Sequence, residues 1–232
     1  MREPCATAAP PPRVLDVGAG TGNLTAQFLA AGAHVTSADV SDACLRITRE
    51  RFAATGRHAT QRIDGRSLRA FADGAFDVAA CYSVLHHVPD YLALVEEMAR
   101  VVRPGGVVFI DHERHDASWT DPNHAQFMAE AWVFPPKHWS RFLRPANYWR
   151  RLRPLLQWRR WFHPRWMPEG DLHIWPDDHI EWARVEARTR AHGVVPVLVQ
   201  DYLLYDAQLD PGAWERWHDR VTDHRLWVGR KT

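Results

Sequence analysis

An apolar β-type run, Arg13–Val17 (RVLDV), gives way to three alternating glycines, Gly18, Gly20 and Gly22, and then to a helical pattern, LTAQFLAAG. No other feature restricts the fold so strongly. Glycine lets a backbone turn sharply and approach a ligand without a Cβ in the way. Such a turn between strand and helix fits a parallel sheet whose strands are joined by helical crossovers. The pattern to about residue 112 keeps that rhythm. Asn23 stands where a helix N-cap would, and Gly32 where the helix would stop. A second strand is expected over 33–39, ending in Asp39. A helix capped by Ser41 or Asp42 follows and stops at Gly56. A weak third strand, 59–63, precedes a fourth, Phe76–Tyr82, which is entered through the turn at Asp73 and Gly74. Leu92, Val95, Met98 and Val102 recur at helical spacing over 89–102. Pro104, Gly105 and Gly106 then turn the chain into a fifth strand, 107–111.

Beyond residue 112 the chemistry changes. Prolines interrupt the segment 113–175, so short helices and loops are expected there. Regularity returns as a helix over 177–192, capped by Asp177 or Asp178 and ended by Gly193. Two last strands are expected at 194–205, where Pro196 favours an edge, and at 226–230. All twelve tryptophans lie at or beyond Trp119. Between Ala131 and Pro168 there is no acidic residue, but there are nine Lys or Arg and six Trp, against a whole-chain charge of +1. The expectation is a single domain over 1–232: a core at 13–112, an aromatic and basic insertion at 113–175, and a last helix and strands at 176–232.

The glycine turn also carries chemistry. An acid ending the second strand, Asp39, is placed to accept hydrogen bonds from ribose hydroxyls. Dinucleotide sites use GxGxxG, with a helix N-terminus facing a pyrophosphate. Here the spacing is GxGxG, and Asp16 sits two residues ahead of it. A carboxylate at that point suits a cationic amine better than a pyrophosphate, which favours S-adenosylmethionine over NAD. At these residues the chain resembles the Rossmann-like, class I S-adenosylmethionine-dependent methyltransferases, in particular those acting on small molecules. VLDVGAGTGNLT is similar to the family's first motif, which implies that Asp16, Gly18, Gly20 and Gly22 neighbour the methionine moiety and that Asp39 holds the ribose. Ile63, Asp64 and Gly65 resemble the adenine motif, with Asp64 as acceptor. FDVAACYSVLHHVPD and RVVRPGGVVFID look like the fourth-strand motif and the following helix-turn-strand. The resemblance implies an α/β fold with a seven-stranded, mostly parallel sheet, helices on both faces, and the insertion before the last two strands. It departs in two places: about a dozen residues precede the first strand, and the Pro expected after the third-strand motif is absent, with Arg69 nearby.

A hydroxyl acceptor needs a base, and histidine suits that role near neutrality. His86 and His87 follow the fourth strand and His112 the fifth, at the strand ends where reacting groups gather in such sheets. Either of the pair is a candidate base, as is His112. Asp111, Glu113 and His115 would share one face of a regular strand and His112 the other, so a metal cluster is not expected. Cys81, counted with the cofactor residues, reads as a small buried apolar side chain. Tyr82 and Ser83 read as lining the cofactor or acceptor, and Tyr202 and Tyr205 as core or rim residues.

The insertion (137–166) reads first as a substrate lid, then as an interface with another chain such as a homodimer partner. A membrane or lipid-linked surface ranks next, and nucleic acid last. Cys5, Cys44 and Cys81 make no disulfide framework, no apolar run could span a membrane, and the first residues lack a secretion signal, so a soluble cytoplasmic protein is expected. Methyl transfer to an oxygen of a small, anionic or sugar-containing metabolite is the function expected, with nitrogen second. A non-catalytic scaffold docking through the insertion is the rival, and an NAD-dependent oxidoreductase ranks below it.

Overall fold

The computed structural model describes residues 10–131, 179–206 and 209–232. The strands are β1 (Arg13–Val17), β2 (His34–Asp39), β3 (His58–Arg62), β4 (Phe76–Tyr82), β5 (Val102–Arg114), β6 (Val194–Tyr202) and β7 (His224–Lys231). They form one sheet in the order β3-β2-β1-β4-β5-β7-β6. The first five pair in parallel, and β7 runs antiparallel to both β5 and β6. The described helices are α1 (Asn23–Ala30), α2 (Asp42–Phe52), α3 (Tyr91–Val101), α4 (Ala117–Thr120), α5 (Pro122–Ala131), α6 (Trp182–Ala191) and α7 (Pro211–Trp217).

β1 is buried on both faces, which is why its apolar run is nearly unbroken. Val14 packs with Leu29, Val35 and Phe52 under α1 and α2. The next residue, Leu15, joins the opposite core with Met98, Val95 and Trp182 of α3 and α6. Helices therefore cover both faces. The register sets Val17 beside Ala38 and Cys81, and Tyr82 beside Asp111, so the carboxyl ends of β1, β2, β4 and β5 line one edge.

Several expected boundaries shift. The N-cap of α1 is Gly22 (φ +87°) and Asn23 opens the helix, so no side chain caps its first turn. Ser41 does cap α2, accepting from the Cys44 amide. β5 extends well beyond 107–111, through Pro104–Gly106 and on to Arg114. α6 starts at Trp182 after Glu181 with no side-chain cap, while Asp177 and Asp178 lie outside the described residues. β6 ends at Tyr202 rather than at 205. α7 was not expected, although Asp210 accepts from the Ala213 amide and Pro211 stands in the first turn, an ordinary start signal. With α5 it closes a second small core around Phe127, Leu203 and Val221. The basic, aromatic stretch 137–166, on which the lid and interface readings depend, lies outside the described residues. Among the described residues no helix is long and apolar enough to cross a membrane.

Candidate active site

The glycine turn is held from below and open above. The Gly18 and Ala19 amides donate to the Ala38 carbonyl at 2.8 and 3.2 Å, tying the turn to β2. Gly18 (φ +68°) has no room for a side chain, since a Cβ there would lie 2.6 Å from Val84 Cγ2. The residues after β4 therefore pack directly against the turn. Gly20 (φ +52°) is different: among the described residues nothing lies within 4 Å of where its Cβ would be. Its backbone borders open space at the strand ends, a cradle that a side chain would fill. Asp39, 8% exposed, accepts from the Gly20 amide on Oδ2 and from the Ser41 amide on Oδ1, both at 2.8 Å. Each oxygen keeps a lone pair for a further donor.

Asp16 lies deeper than the sequence implied. It is 1% exposed, and Oδ2 accepts from Thr25 Oγ1 at 2.5 Å. Thr25 in turn meets Ser37 Oγ at 2.8 Å, and Ser37 meets His58 Nε2 at 2.9 Å. Burial pushes the Asp16 carboxyl up to about 7, against the hydrogen bond from Thr25. Asp64 is exposed, and its carboxylate accepts from the Arg66 and Ser67 amides, which hold it below the usual range. Cys81 is fully buried in the core below α3 and α6, and burial keeps its thiol protonated.

The ends of β4 and β5 carry the backbone strain. Ser83 (φ +59°) and His112 (φ +63°) are the non-glycine residues with positive φ among those described, and the Ser83 amide donates to the Asp111 carbonyl at 3.0 Å. Strain of this kind collects at functional sites. Between Ile110 and Glu113 the β5–β7 register slips, three steps on β5 facing two on β7 (Trp227 to Arg225). This is a β-bulge, and the extra residue turns Glu113 to the face Ile110 occupies. The alternation expected for 111, 113 and 115 thus fails. Asp111 instead accepts from the Tyr202 hydroxyl at 2.9 Å, while Glu113 is fully buried. Tyr205 is exposed beside Trp214.

Glu113 is the residue that sequence reasoning left without a role. Oε1 accepts from the amides of Val84 and Leu85, and Oε2 meets His86 Nδ1, all at 2.7 Å. The His87 ring lies 4.0 Å from that of His86. His112 has different ring partners. Its Nδ1 meets the Tyr82 hydroxyl at 3.0 Å, its ring stacks on Tyr82 and packs against His224, and burial lowers its pKa. Among the described residues no three His, Cys, Asp or Glu side chains converge as metal ligands.

A Gly-rich turn between β1 and α1, an acid ending β2, and a sheet with β7 reversed define a class I S-adenosylmethionine-dependent methyltransferase, and residues 15–110 match the family described as a methyltransferase domain. The match extends over 96 of the chain's 232 residues. It is 40% identical over 98 residues to the ubiquinone biosynthesis O-methyltransferase of Aromatoleum aromaticum, covering 42% of each chain. Against the protein of the same name from Idiomarina loihiensis it is 33% identical over 141 residues, 60% of this chain and 58% of that one. The chain thus spans about half the length of these relatives. An S-adenosylmethionine-dependent methyltransferase from Mesorhizobium loti shares the fold, with a TM-score of 0.59 at 21% identity, over 95% of this chain and 91% of that one.

Proposed function

We propose that this chain methylates an oxygen of a small hydroxyl-bearing molecule, with S-adenosylmethionine as donor and His86 as the base. The observation that carries the reading is the close approach of Gly18 to Val84, which packs the residue two ahead of His86 against the glycine turn. The residues fit the cofactor. Gly20 leaves space for close approach, and Asp39 keeps acceptor capacity for ribose hydroxyls. The uncapped N-terminus of α1 leaves amides for a carboxylate. Bound there, the cofactor supplies a methyl group already activated by its sulfonium. The chain's own task is to hold the acceptor oxygen in line and take its proton, because a neutral hydroxyl is a poor nucleophile. The names of the relatives above support oxygen over nitrogen, and anionic or sugar-containing acceptors remain within the proposal.

The test begins with calorimetry using S-adenosylhomocysteine, followed by transfer of a labelled methyl from S-adenosylmethionine to a panel of catechols, hydroxybenzoates and sugar phosphates. Asp39→Ala is expected to weaken S-adenosylhomocysteine binding about 10–100-fold, since hydrogen bonds to a charged group contribute about 1.5–3 kcal/mol. Wild-type protein that binds NAD and not S-adenosylhomocysteine would overturn the reading.

Gly20→Ala separates binding from folding. Space exists for the methyl, so the folded chain should lose only about 1–2 kcal/mol through the left-handed backbone. S-adenosylhomocysteine should nevertheless bind more weakly, because the methyl enters the cradle. Unchanged affinity would remove Gly20 from the site.

A further inference from the structure

We propose that Glu113 is a positioning residue that fixes His86 in the tautomer with its proton on Nδ1, leaving Nε2 as the nitrogen that takes the acceptor's proton. The inference rests on His86 being the base, and names what makes it one. Three groups surround one fully buried carboxylate: the Val84 and Leu85 amides donate to Oε1, and His86 Nδ1 lies 2.7 Å from Oε2. With two N–H groups donating to Oε1, the carboxylate is built to accept on Oε2 as well, which places the hydrogen on Nδ1 and the ring's lone pair on Nε2. As the acceptor oxygen bonds the methyl carbon, that carbon's bond to the sulfonium sulfur would break, its electron pair staying on the departing thioether, S-adenosylhomocysteine. The acceptor's proton passes to Nε2, and the positive charge on the imidazolium faces the Glu113 carboxylate across Nδ1. The same two loop amides fix where the ring sits relative to the glycine turn, since Val84 is the residue Gly18 packs against. A hydrogen-bonded acid that sets the tautomer and orientation of a basic histidine is a general device, independent of fold. Here the β-bulge builds it, by turning Glu113 from the expected face of β5 onto the loop after β4.

Glu113→Gln tests this with little change of shape. Val84 and Leu85 both present N–H groups to Oε1, so the amide oxygen must stay on that side and the NH₂ must face His86 Nδ1. The ring is then driven to carry its proton on Nε2. Nitrogen-15 NMR of the S-adenosylhomocysteine complex reads the tautomer directly, with the His86 signals assigned by their loss in His86→Gln. Wild type is expected to show a protonated Nδ1 and an unprotonated Nε2, and Glu113→Gln the reverse, with S-adenosylhomocysteine affinity unchanged. For any panel acceptor that turns over, the variant should lose kcat and keep its KM for S-adenosylmethionine. A wild-type ring protonated on Nε2 overturns the inference even if the variant fails to fold. So does the same tautomer in both proteins. Failure of the wild type to bind S-adenosylhomocysteine would instead bring down the methyltransferase reading; the tautomer, read on the free protein, would then still decide the Glu113–His86 relation.

Discussion

His86→Gln should lower kcat for methyl transfer by about 10²–10⁴-fold, the usual contribution of a positioned general base. Gln keeps hydrogen-bonding groups beside Glu113 but cannot take a proton, so cofactor affinity should stay near wild type while turnover falls. His112→Gln provides the contrast. His112 is engaged at Nδ1 by the Tyr82 hydroxyl and enclosed by the Tyr82 and His224 rings, so its loss should loosen the acceptor wall and raise the acceptor's KM. Measuring both variants with S-adenosylmethionine saturating separates the roles. If His86→Gln keeps its kcat within about threefold while His112→Gln loses it, the base is His112 and Tyr82 is its partner.

The parts of the site that sequence made legible are those set by local chemistry. The glycine turn, Asp39 at the end of β2 and Ser41 at the start of α2 depend on a few consecutive residues, and each holds the place its pattern implies. The alternation of Val14 and Leu15 between two cores follows from strand geometry alone. Glu113 was hidden because its role depends on register. One extra residue in β5 against β7 reverses the face of everything after it, and no local pattern in DHERH announces the slip. Asp16 was read as a carboxylate beside the turn, but a strand buried on both faces leaves it no route to solvent. α7 was missed for another reason. Its signal, Asp210 followed by Pro211, stands in the sequence, but a helix joining β6 to its antiparallel neighbour β7 falls outside the strand–helix rhythm of the parallel strands.

Asp16→Asn should make stability respond to pH quite differently from wild type. In the folded chain the carboxyl is pushed up to about 7 from an ordinary value near 3.8, chiefly by burial, with the Asp39 charge adding to it. Between about pH 4 and pH 7 the unfolded chain has lost this proton while the folded chain still holds it, so stability falls as pH rises. Above about pH 7 the full penalty is present, on the order of 4 kcal/mol for a shift of about three units. Asn resembles the neutral acid and can still accept from Thr25, but it has no proton to lose. Its NH₂ adds an offset of about 1–3 kcal/mol if left unsatisfied, and that offset does not depend on pH. The informative quantity is therefore the difference in unfolding free energy between variant and wild type. It should move in the variant's favour from pH 5 to pH 7 and then level off. A difference flat over that range would mean that Asp16 is ionised throughout, held so by Thr25 and the Ser37–His58 chain behind it. The same titration bears on function. A cationic ligand group against the turn favours the charged carboxylate, so binding of S-adenosylmethionine at pH 6 should release protons from wild type and not from Asp16→Asn. Calorimetry in buffers of different ionisation enthalpy reads that release, and equal values for the two proteins would separate Asp16 from the ligand.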